Sequence, residues 1–328
     1  MASLVELTKL TRTFPRTRVL VVGDLVADHY IYGQTDRVSR EAPVLIVRYE
    51  SAEVKLGGGA NAAANVRSLG GEVRAVGAVG RDEMGRALSA LFDSVGISLH
   101  PALAPRTETK TRIYAGGVNT TRQQMLRLDQ GTRGGLPPKV QKALARRVRE
   151  AAKDADAILV SDYGAGVVND EVRAVLRQLS ADGLPVCADS RYDLHTLGGL
   201  RVCKPNEPEL SELTGIPIRT EADLLRAGRE ALTRLACDAL VVTRGRSGMA
   251  VFDRKRGAEL IPVHGAAEAV DVTGAGDTVA AALTLSIAAG ADVVDAARIA
   301  NGAGSLVVQK QGTATVSRHE LQTALESA

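Results

Sequence analysis

Residues 271–278 have the sequence Asp-Val-Thr-Gly-Ala-Gly-Asp-Thr, a combination of residue types that suits chemistry on an anion. Gly274, Ala275 and Gly276 can fold into a tight turn whose backbone N–H groups converge, since glycine tolerates positive φ. Helix-favouring alanines follow, so the turn would lie at a helix N-terminus, where the helix dipole also attracts negative charge. Asp277 is then either a cap of that helix or a general base that takes a proton from a hydroxyl during phosphoryl transfer.

The usual phosphate-binding loop carries Lys after its last glycine, whereas this turn carries Asp277. The motif resembles instead the C-terminal signature of the ribokinase-like (PfkB) carbohydrate kinases. By that resemblance Asp277 is the catalytic base and the backbone of residues 274–276 is the anion hole. The same resemblance implies that Asp271, Gly274 and Gly276 contribute to binding the nucleotide.

Length and composition bound the fold. The chain has 328 residues, 45% of them hydrophobic and only 3% aromatic, so we expect one α/β domain over residues 1–328 with an Ala-, Val- and Leu-rich core. A net charge of +3 is too small to indicate a nucleic-acid partner. Three cysteines without metal-ligand spacing indicate reduced thiols, and the sequence contains neither a membrane-length apolar run nor a secretion signal. We therefore expect a cytoplasmic protein without a membrane partner.

A buried parallel strand is predicted at residues 18–23, an apolar run that ends in Gly23. A dinucleotide-binding fingerprint would need two further glycines there, so an oxidoreductase is not indicated. Asp24 and Asp28 follow the strand, at the edge where open α/β sheets bind ligands, and are candidate substrate-binding residues. Asp24 is either a helix cap or, by the kinase resemblance, a ligand of sugar hydroxyls.

Two segments depart from the β-α-β pattern, at about residues 30–53 and 109–129, and each predicts an antiparallel pair of strands. Together they would form a small separate sheet, and such sheets form a lid over the sugar in ribokinase-like proteins. A small sheet with an apolar face needs a cover. In that family the cover is often the lid of a second subunit, so we expect a homodimer.

A second glycine-rich stretch lies between the lid segments. Three glycines at residues 57–59 precede an alanine-rich helix that contains Asn61. The stretch is either a flexible hinge or, with residues 75–85, the N-terminal signature of the same kinase family, which it resembles. The resemblance makes Gly57, Gly58 and Asn61 substrate-binding residues. Two signatures in the right order imply a Rossmann-like α/β fold, with a mainly parallel central sheet flanked by helices and a small β-sheet lid.

Two later stretches carry further polar candidates. Asp162 lies in a strand predicted at residues 157–164, which ends in polar residues on the presumed ligand side, and is another candidate substrate ligand. Asn206 and Glu209 match the Asn-x-x-Glu motif of the family and are expected to order water around Mg²⁺, which keeps several waters in proteins. Alternatively, Glu209 belongs only to the first turn of a helix.

The ATP site is expected from later segments. By resemblance to the family, Thr243, Gly245 and Gly248 lie along the phosphates, and Asn301 on a Gly- and Ala-rich helix closes the adenine pocket. Arg244 is either a surface residue or a contact of the transferring phosphate, since guanidinium groups match phosphate oxygens.

The predicted lid is rich in basic residues. They are Arg37, Arg40, Arg48, Lys55, Lys110, Arg112, Arg122 and Arg127. Such charges form either a solvated face or a pocket for a phosphate that the sugar already carries. For the pocket, Arg40, Lys110 and Arg112 are the main candidates.

Three short stretches bear on the substrate. Residues 36–44, 161–164 and 204–207 resemble the heptose-7-phosphate kinases of bacterial lipopolysaccharide assembly. In some of those proteins a nucleotidyltransferase domain follows the kinase, whereas this chain stops at Ala328 and is expected to be the kinase-only form.

These resemblances predict an ATP- and Mg²⁺-dependent kinase that phosphorylates the anomeric hydroxyl of D-glycero-β-D-manno-heptose 7-phosphate. A kinase acting on a fructose phosphate or ribose is the alternative among enzymes. Outside enzymes, the alternative is a sugar-sensing binding module whose chemistry has lapsed, although an intact Asp277 argues against it.

Overall fold

The computed structural model describes residues 3–117, 121–132, 135–265 and 269–327. Its α-helices are α1 (Leu4–Thr11), α2 (Gly59–Ser68), α3 (Glu83–Ser94), α4 (Pro138–Ala151), α5 (Asp170–Ala181), α6 (Glu207–Thr214), α7 (Glu221–Leu235), α8 (Ala275–Ala288), α9 (Val293–Val307) and α10 (Arg318–Glu326). Its strands are β1 (Arg18–Gly23), β2 (Leu25–Val38), β3 (Leu45–Gly58), β4 (Glu72–Val76), β5 (Ala78–Val79), β6 (Ser98–Leu99), β7 (Ala102–Leu103), β8 (Thr109–Gly116), β9 (Gln123–Gln130), β10 (Ala157–Asp162), β11 (Val186–Ser190), β12 (Val202–Cys203), β13 (Ala239–Thr243), β14 (Met249–Asp253) and β15 (Gly257–Ile261).

The main sheet has nine strands in the order β15-β14-β13-β12-β11-β10-β1-β4-β6. Seven neighbouring strands of this sheet are parallel: β13, β12, β11, β10, β1, β4 and β6. At one edge, β14 pairs antiparallel with β13, and β15 pairs antiparallel with β14. In β1, Val19 and Val21 face one apolar core and Leu20 and Val22 face the other, which explains the uninterrupted apolar run. Helices α2, α8 and α9 pack on one face, and α4, α5 and α7 on the other. The predicted fold class is confirmed.

A separate four-stranded sheet has the order β3-β2-β8-β9. Both predicted antiparallel pairs are present, and β2 and β8 join them in parallel. The first pair is longer than the predicted 30–53, because β2 already begins at Leu25 and β3 continues to Gly58. Leu25 and Ala27 are fully buried in the main core, so this pair is rooted there rather than standing apart. Residues 118–120, within the predicted second lid segment, lie outside the described residues.

Helix α8 runs through the middle of the molecule, where it contacts β1, β10, β11, α2 and α9. Every residue from 277 to 287 is buried, which matches the small and apolar composition of the helix. Its buried hydroxyls at Thr284 and Ser286 donate to backbone carbonyls one turn earlier. The N-terminus of α8 thereby lies close to the carboxyl ends of the parallel strands. Within the described residues, no helix is long and apolar enough to cross a membrane.

Candidate active site

Asp277 lies in the first turn of α8 and is 3% exposed. Its two carboxylate oxygens accept hydrogen bonds from different elements: Oδ2 from the amide of Asn61 on α2, and Oδ1 from the hydroxyl of Tyr163 after β10, both at 2.8 Å. Burial, together with the nearby charge of Asp189, raises the pKa of Asp277 to about 7, although both hydrogen bonds oppose the shift. Such a pKa suits a general base that works near neutral pH.

The turn before Asp277 requires glycine for a steric reason. Gly274 has φ +76° at the N-cap of α8, and a Cβ there would lie 2.7 Å from Nδ2 of Asn61. Gly274 and Asp277 line one cavity, whereas Ala275 and Gly276 line another. The turn therefore forms the wall between two cavities, at the helix terminus that favours an anion.

The first cavity is polar, has a volume of about 750 Å³, and lies between the four-stranded sheet and the main sheet. Asp28 and Gly58, two of the residues predicted to bind the substrate, line this cavity. Gly57 supports this wall, because a Cβ there would lie 2.5 Å from Oδ2 of Asp28. Four basic and four acidic side chains line the cavity: Lys110, Arg112, Arg127 and Arg191, with Asp28, Glu108, Asp129 and Asp277.

Pairing divides the cations of this polar cavity into two groups. Arg112 binds Asp28 at 2.7 Å and Arg127 binds Asp129 at 2.6 Å. Lys110 and Arg191 form no ion pair with any described residue. The ammonium of Lys110 lies 4.9 Å from the centre of the Tyr163 ring, and burial lowers its pKa. These two cations are therefore the most available for an anionic ligand.

The remaining basic lid residues do not converge on the cavity. Arg40 is exposed in the loop between β2 and β3 and is not among the described residues that line the polar cavity, so the expected trio of Arg40, Lys110 and Arg112 is not brought together. Three others form ion pairs outside it: Arg48 with Asp36, Lys55 with Glu53, and Arg122 with Glu50. A solvated face accounts for these residues.

Asp24 and Asp162 differ from their expected role as sugar ligands. Asp24 is fully buried and accepts backbone N–H groups of Tyr163, Ala165 and Val167. Burial raises its pKa to about 6, with a contribution from Asp162. The loop after β10 folds over the strand end, and its backbone N–H groups donate to the carboxylates of both Asp24 and Asp162. Asp24 therefore holds the loop that carries Tyr163.

Asp162 is equally engaged. Its carboxylate accepts the backbone N–H of Gly164 and the hydroxyl of Ser190, at 3.0 and 2.7 Å. Neither Asp24 nor Asp162 is among the described residues that line the polar cavity. Asn61, expected to bind the sugar, is 1% exposed and faces Asp277 instead.

The second cavity has a volume of about 480 Å³ and a largely apolar wall that includes Val263, Val279 and Val308. Residues predicted for the nucleotide lie around it: Thr243, Gly245, Gly248, Gly276 and Asn301. An apolar wall beside the N-terminus of a helix suits a nucleotide, because a base packs on apolar side chains and phosphates favour a helix N-terminus.

Two residues expected near the phosphates are engaged elsewhere. Nε of Arg244 binds the carboxylate of Glu207 at 2.8 Å, and Arg244 is not among the described residues that line either cavity. Asp271 accepts the backbone N–H groups of Thr273 and Gly312, each at 2.9 Å. It therefore ties the turn before α8 to the chain after α9.

Asn206 and Glu209 form a reciprocal cap at the start of α6. The Asn206 side chain accepts the backbone N–H of Glu209 at 2.8 Å, and the Glu209 carboxylate accepts that of Asn206 at 2.9 Å. No group of three or more potential metal-ligating His, Cys, Asp or Glu side chains occurs in the described part of the chain. The cap engages Oδ1 of Asn206 and Oε2 of Glu209, and carboxylate and amide oxygens are of the type that orders water around Mg²⁺ in proteins.

Several residues of the site were not assigned a role from the sequence. Tyr163 and Arg191 line the polar cavity, and Lys204 is 5% exposed and binds Asp189 at 3.1 Å. A Cβ on Gly276 would lie 3.9 Å from Nζ of Lys204, so this buried pair underlies the turn. Tyr163 directly follows β10 and Lys204 directly follows β12, so a polar residue at the end of a strand is the signal that the two share.

Comparisons with known proteins agree with this geometry. The family described as "pfkB family carbohydrate kinase" matches residues 16–320. The bifunctional protein HldE of a Caulobacter species is 40% identical over 326 residues, which cover 96% of this chain and 64% of that protein. The chain thus spans less than two thirds of the length of this curated relative.

Solved structures show the same fold. Phosphofructokinase-2 from Escherichia coli in complex with potassium has a TM-score of 0.78 and 20% identity, over 95% of this chain and 98% of that one. Ribokinase from Arabidopsis thaliana complexed with ribose and ATP has a TM-score of 0.71 and 22% identity, over 94% and 98%. From the match over residues 16–320, this chain belongs to the pfkB family of carbohydrate kinases.

Proposed function

We propose that this protein transfers the terminal phosphoryl group of ATP to the anomeric hydroxyl of D-glycero-β-D-manno-heptose 7-phosphate. The observation that carries the proposal is the position of Asp277 and its glycine turn between a polar cavity and a largely apolar cavity. The similarity to HldE supports a role in heptose metabolism. We further propose that the whole chain acts as a single kinase domain.

The chemistry follows from the two cavities. With the sugar in the polar cavity, its hydroxyl oxygen attacks the terminal phosphorus, the bond to ADP breaks, and the hydroxyl proton passes to the carboxylate of Asp277. The backbone N–H groups of residues 274–276 stabilise the charge on the transferring group. Asn206 and Glu209 are the residues that would order water around Mg²⁺, which would offset the charge of the phosphates when bound.

The sugar phosphate is assigned to Lys110 and Arg191. Both line the polar cavity without an ion pair among the described residues, so an anion meets them without breaking an existing pair. Lys110 lies over the ring of Tyr163, whose hydroxyl binds Asp277. Lys110 and Asp277 are therefore separated by about the length of one tyrosine side chain. That separation suits a sugar that carries its phosphate at one end and its reacting hydroxyl at the other.

A homodimer through the lid is part of the proposal. On β9, Leu126 and Leu128 are 56% and 51% exposed. They alternate with Arg127 and Asp129, which line the polar cavity, so the two leucines face away from it. An apolar strip on the outer face of a small sheet is stabilised when a second copy covers it.

A coupled ADP-release assay with purified sugars tests the function. We expect turnover with heptose 7-phosphate to exceed turnover with unphosphorylated heptose, fructose 6-phosphate and ribose. Faster turnover with fructose 6-phosphate or ribose would favour the alternative kinases. Sugar binding without any ATP turnover would favour the lapsed binding module.

Variants of the two free cations test the phosphate assignment. Lys110→Ala and Arg191→Ala should each raise KM for the phosphorylated sugar by about tenfold or more, because a charge-assisted hydrogen bond contributes about 1.5–3 kcal/mol. The value of kcat should change little if the contact is equal in the ground and transition states. Arg146→Ala is the matched control, since Arg146 is 68% exposed on α4. Unchanged KM in both cavity variants would refute the assignment.

A further inference from the structure

A chain of three buried polar side chains on two helices leads to the carboxylate of Asp277. Asn61 and Asn65 lie one helical turn apart on α2, and Thr278 follows Asp277 on α8. Their exposures are 1%, 0% and 0%, so solvent does not compete for their hydrogen bonds. The hydroxyl of Thr278 donates to Oδ1 of Asn65 at 2.8 Å. Nδ2 of Asn65 lies 3.0 Å from the backbone oxygen of Asn61 and 3.3 Å from its Oδ1.

The backbone carbonyl of Asn61 fixes the orientation of the Asn65 amide, while the hydroxyl of Thr278 has Oδ1 of Asn65 at 2.8 Å and the backbone oxygen of Gly274 at 3.4 Å as acceptors. The backbone carbonyl of Asn61 only accepts, so Asn65 must present its NH₂ group to it. That orientation turns Oδ1 of Asn65 towards the hydroxyl of Thr278. The NH₂ group of Asn65 also donates to Oδ1 of Asn61. The NH₂ group of Asn61 therefore points the other way and donates to Oδ2 of Asp277 at 2.8 Å. With the Asn61 amide reversed, two NH₂ groups would face each other and an amide oxygen would face a carboxylate.

We propose that Asn65, anchored by Thr278, is a positioning residue for phosphoryl transfer: it holds the Asn61 amide in the orientation that donates to Asp277. The inference rests on the proposed role of Asp277 as the general base. It also changes the role of Asn61, whose amide serves the base instead of the sugar. Neither Asn61 nor Asn65 is among the described residues that line the polar cavity.

The hydrogen bond from Asn61 acts on the acidity of the base. Four groups face or influence Asp277 besides the backbone: the Asn61 amide from α2, the Tyr163 hydroxyl after β10, Asp189 on β11 and Lys204 after β12. Burial and Asp189 raise the pKa of Asp277, whereas Asn61, Tyr163 and Lys204 lower it. Loss of the amide donor therefore removes an opposing contribution, so the base needs a higher pH to ionise.

The test is the pH dependence of kcat/KM. In Asn65→Leu, a side chain of similar shape without the amide, we expect the acidic limb to move upward by about one pH unit, since hydrogen bonding to the charged form is lost. Thr278→Val should move it in the same direction by less, and Thr278→Ser should restore it. Thr284→Val is the matched control, because Thr284 is equally buried on α8 and its hydroxyl donates to the backbone carbonyl of Ala280 rather than to this chain. KM for the sugar should stay nearly constant in all variants.

Three outcomes separate this inference from the proposed base. An unmoved acidic limb in folded Asn65→Leu and Thr278→Val would overturn it, and so would an increase in KM alone, which would return Asn61 to the sugar. If Asn65→Leu does not fold in a thermal melt, the comparison of Thr278→Val with Thr278→Ser decides. Near-normal turnover of Asp277→Asn would overturn the base itself, whatever the other variants show.

Discussion

Replacing Asp277 with Asn should stabilise the protein while it abolishes most of the activity. Burial raises the pKa of this carboxyl from 3.8 to about 7, so the folded state resists its ionisation. As pH rises through this interval the unfolded chain ionises first, and the free energy of unfolding falls. At pH 8 the cost of the charged Asp277 is on the order of 4 kcal/mol, since one pH unit corresponds to about 1.4 kcal/mol.

The neutral amide of Asp277→Asn escapes this cost. Its oxygen can accept from Asn61, and its NH₂ group can donate to the hydroxyl oxygen of Tyr163, so both present neighbours keep a partner. We therefore expect a gain of several kcal/mol in the free energy of unfolding at pH 8. At pH 5 the gain should be about 1.5 kcal/mol, because the folded carboxyl is then already protonated.

Urea denaturation at both pH values measures the gain, and a coupled ADP-release assay measures turnover, which should fall by about 10²–10⁴-fold. Asp82→Asn is the control. The Asp82 carboxylate accepts hydrogen bonds from Thr107 and Gly85, and its pKa is lowered. The charged Asp82 carboxylate stabilises the fold at every pH above its ordinary pKa of 3.8, and this stabilisation is lost only as pH falls below that value. Asp82→Asn should therefore lower the free energy of unfolding equally at pH 5 and pH 8. A stability gain that does not depend on pH, or near-normal turnover, would refute the account of Asp277.

Three further predictions concern the turn, the loop after β10 and the lid. Gly274→Ala should lower turnover more than about tenfold, because the added Cβ displaces the turn. The control is Gly215→Ala, which is also at positive φ but in open space, and it should lower the free energy of unfolding by about 1 kcal/mol without changing turnover. Asp24→Ala leaves three backbone N–H groups without their acceptor, so urea denaturation should show a loss of about 2 kcal/mol or more; an unchanged midpoint would contradict this. Sedimentation should show a dimer that Leu128→Glu dissociates, and a wild-type particle of 34.4 kDa would rule the dimer out.

Local motifs account for what the sequence could predict. The glycine turn before Asp277 and the segment from Thr243 to Gly248 are short, and their backbone conformation follows from neighbouring residues. The apolar run at residues 18–23 predicted a buried parallel strand and alternation predicted the two antiparallel pairs, whereas the mainly parallel sheet was implied by the resemblance to the kinase family. The boundary of the first pair was missed because Leu25 and Ala27 are buried by the main core, a tertiary contact that alternation along the strand does not reveal.

Pairing between distant residues explains what the sequence could not provide. Asp24 stands at a strand end, as expected, but the loop that contains Tyr163 folds onto it and takes its hydrogen bonds. A row of basic residues likewise does not reveal which of them find carboxylates: Arg112 pairs with Asp28, whereas Lys110 pairs with none of the described residues. Such partners depend on strand order and register.

The position of the new phosphate tests the proposed reaction most directly. Purified protein, ATP, Mg²⁺ and heptose 7-phosphate would be followed by phosphorus NMR, with wild type compared against Asp277→Asn. We expect a second sugar phosphate resonance, coupled to the anomeric proton, that forms with wild type and not with the variant. A phosphate on another carbon, or ATP consumption without any new sugar phosphate, would contradict the account of Asp277 as the base for an anomeric hydroxyl.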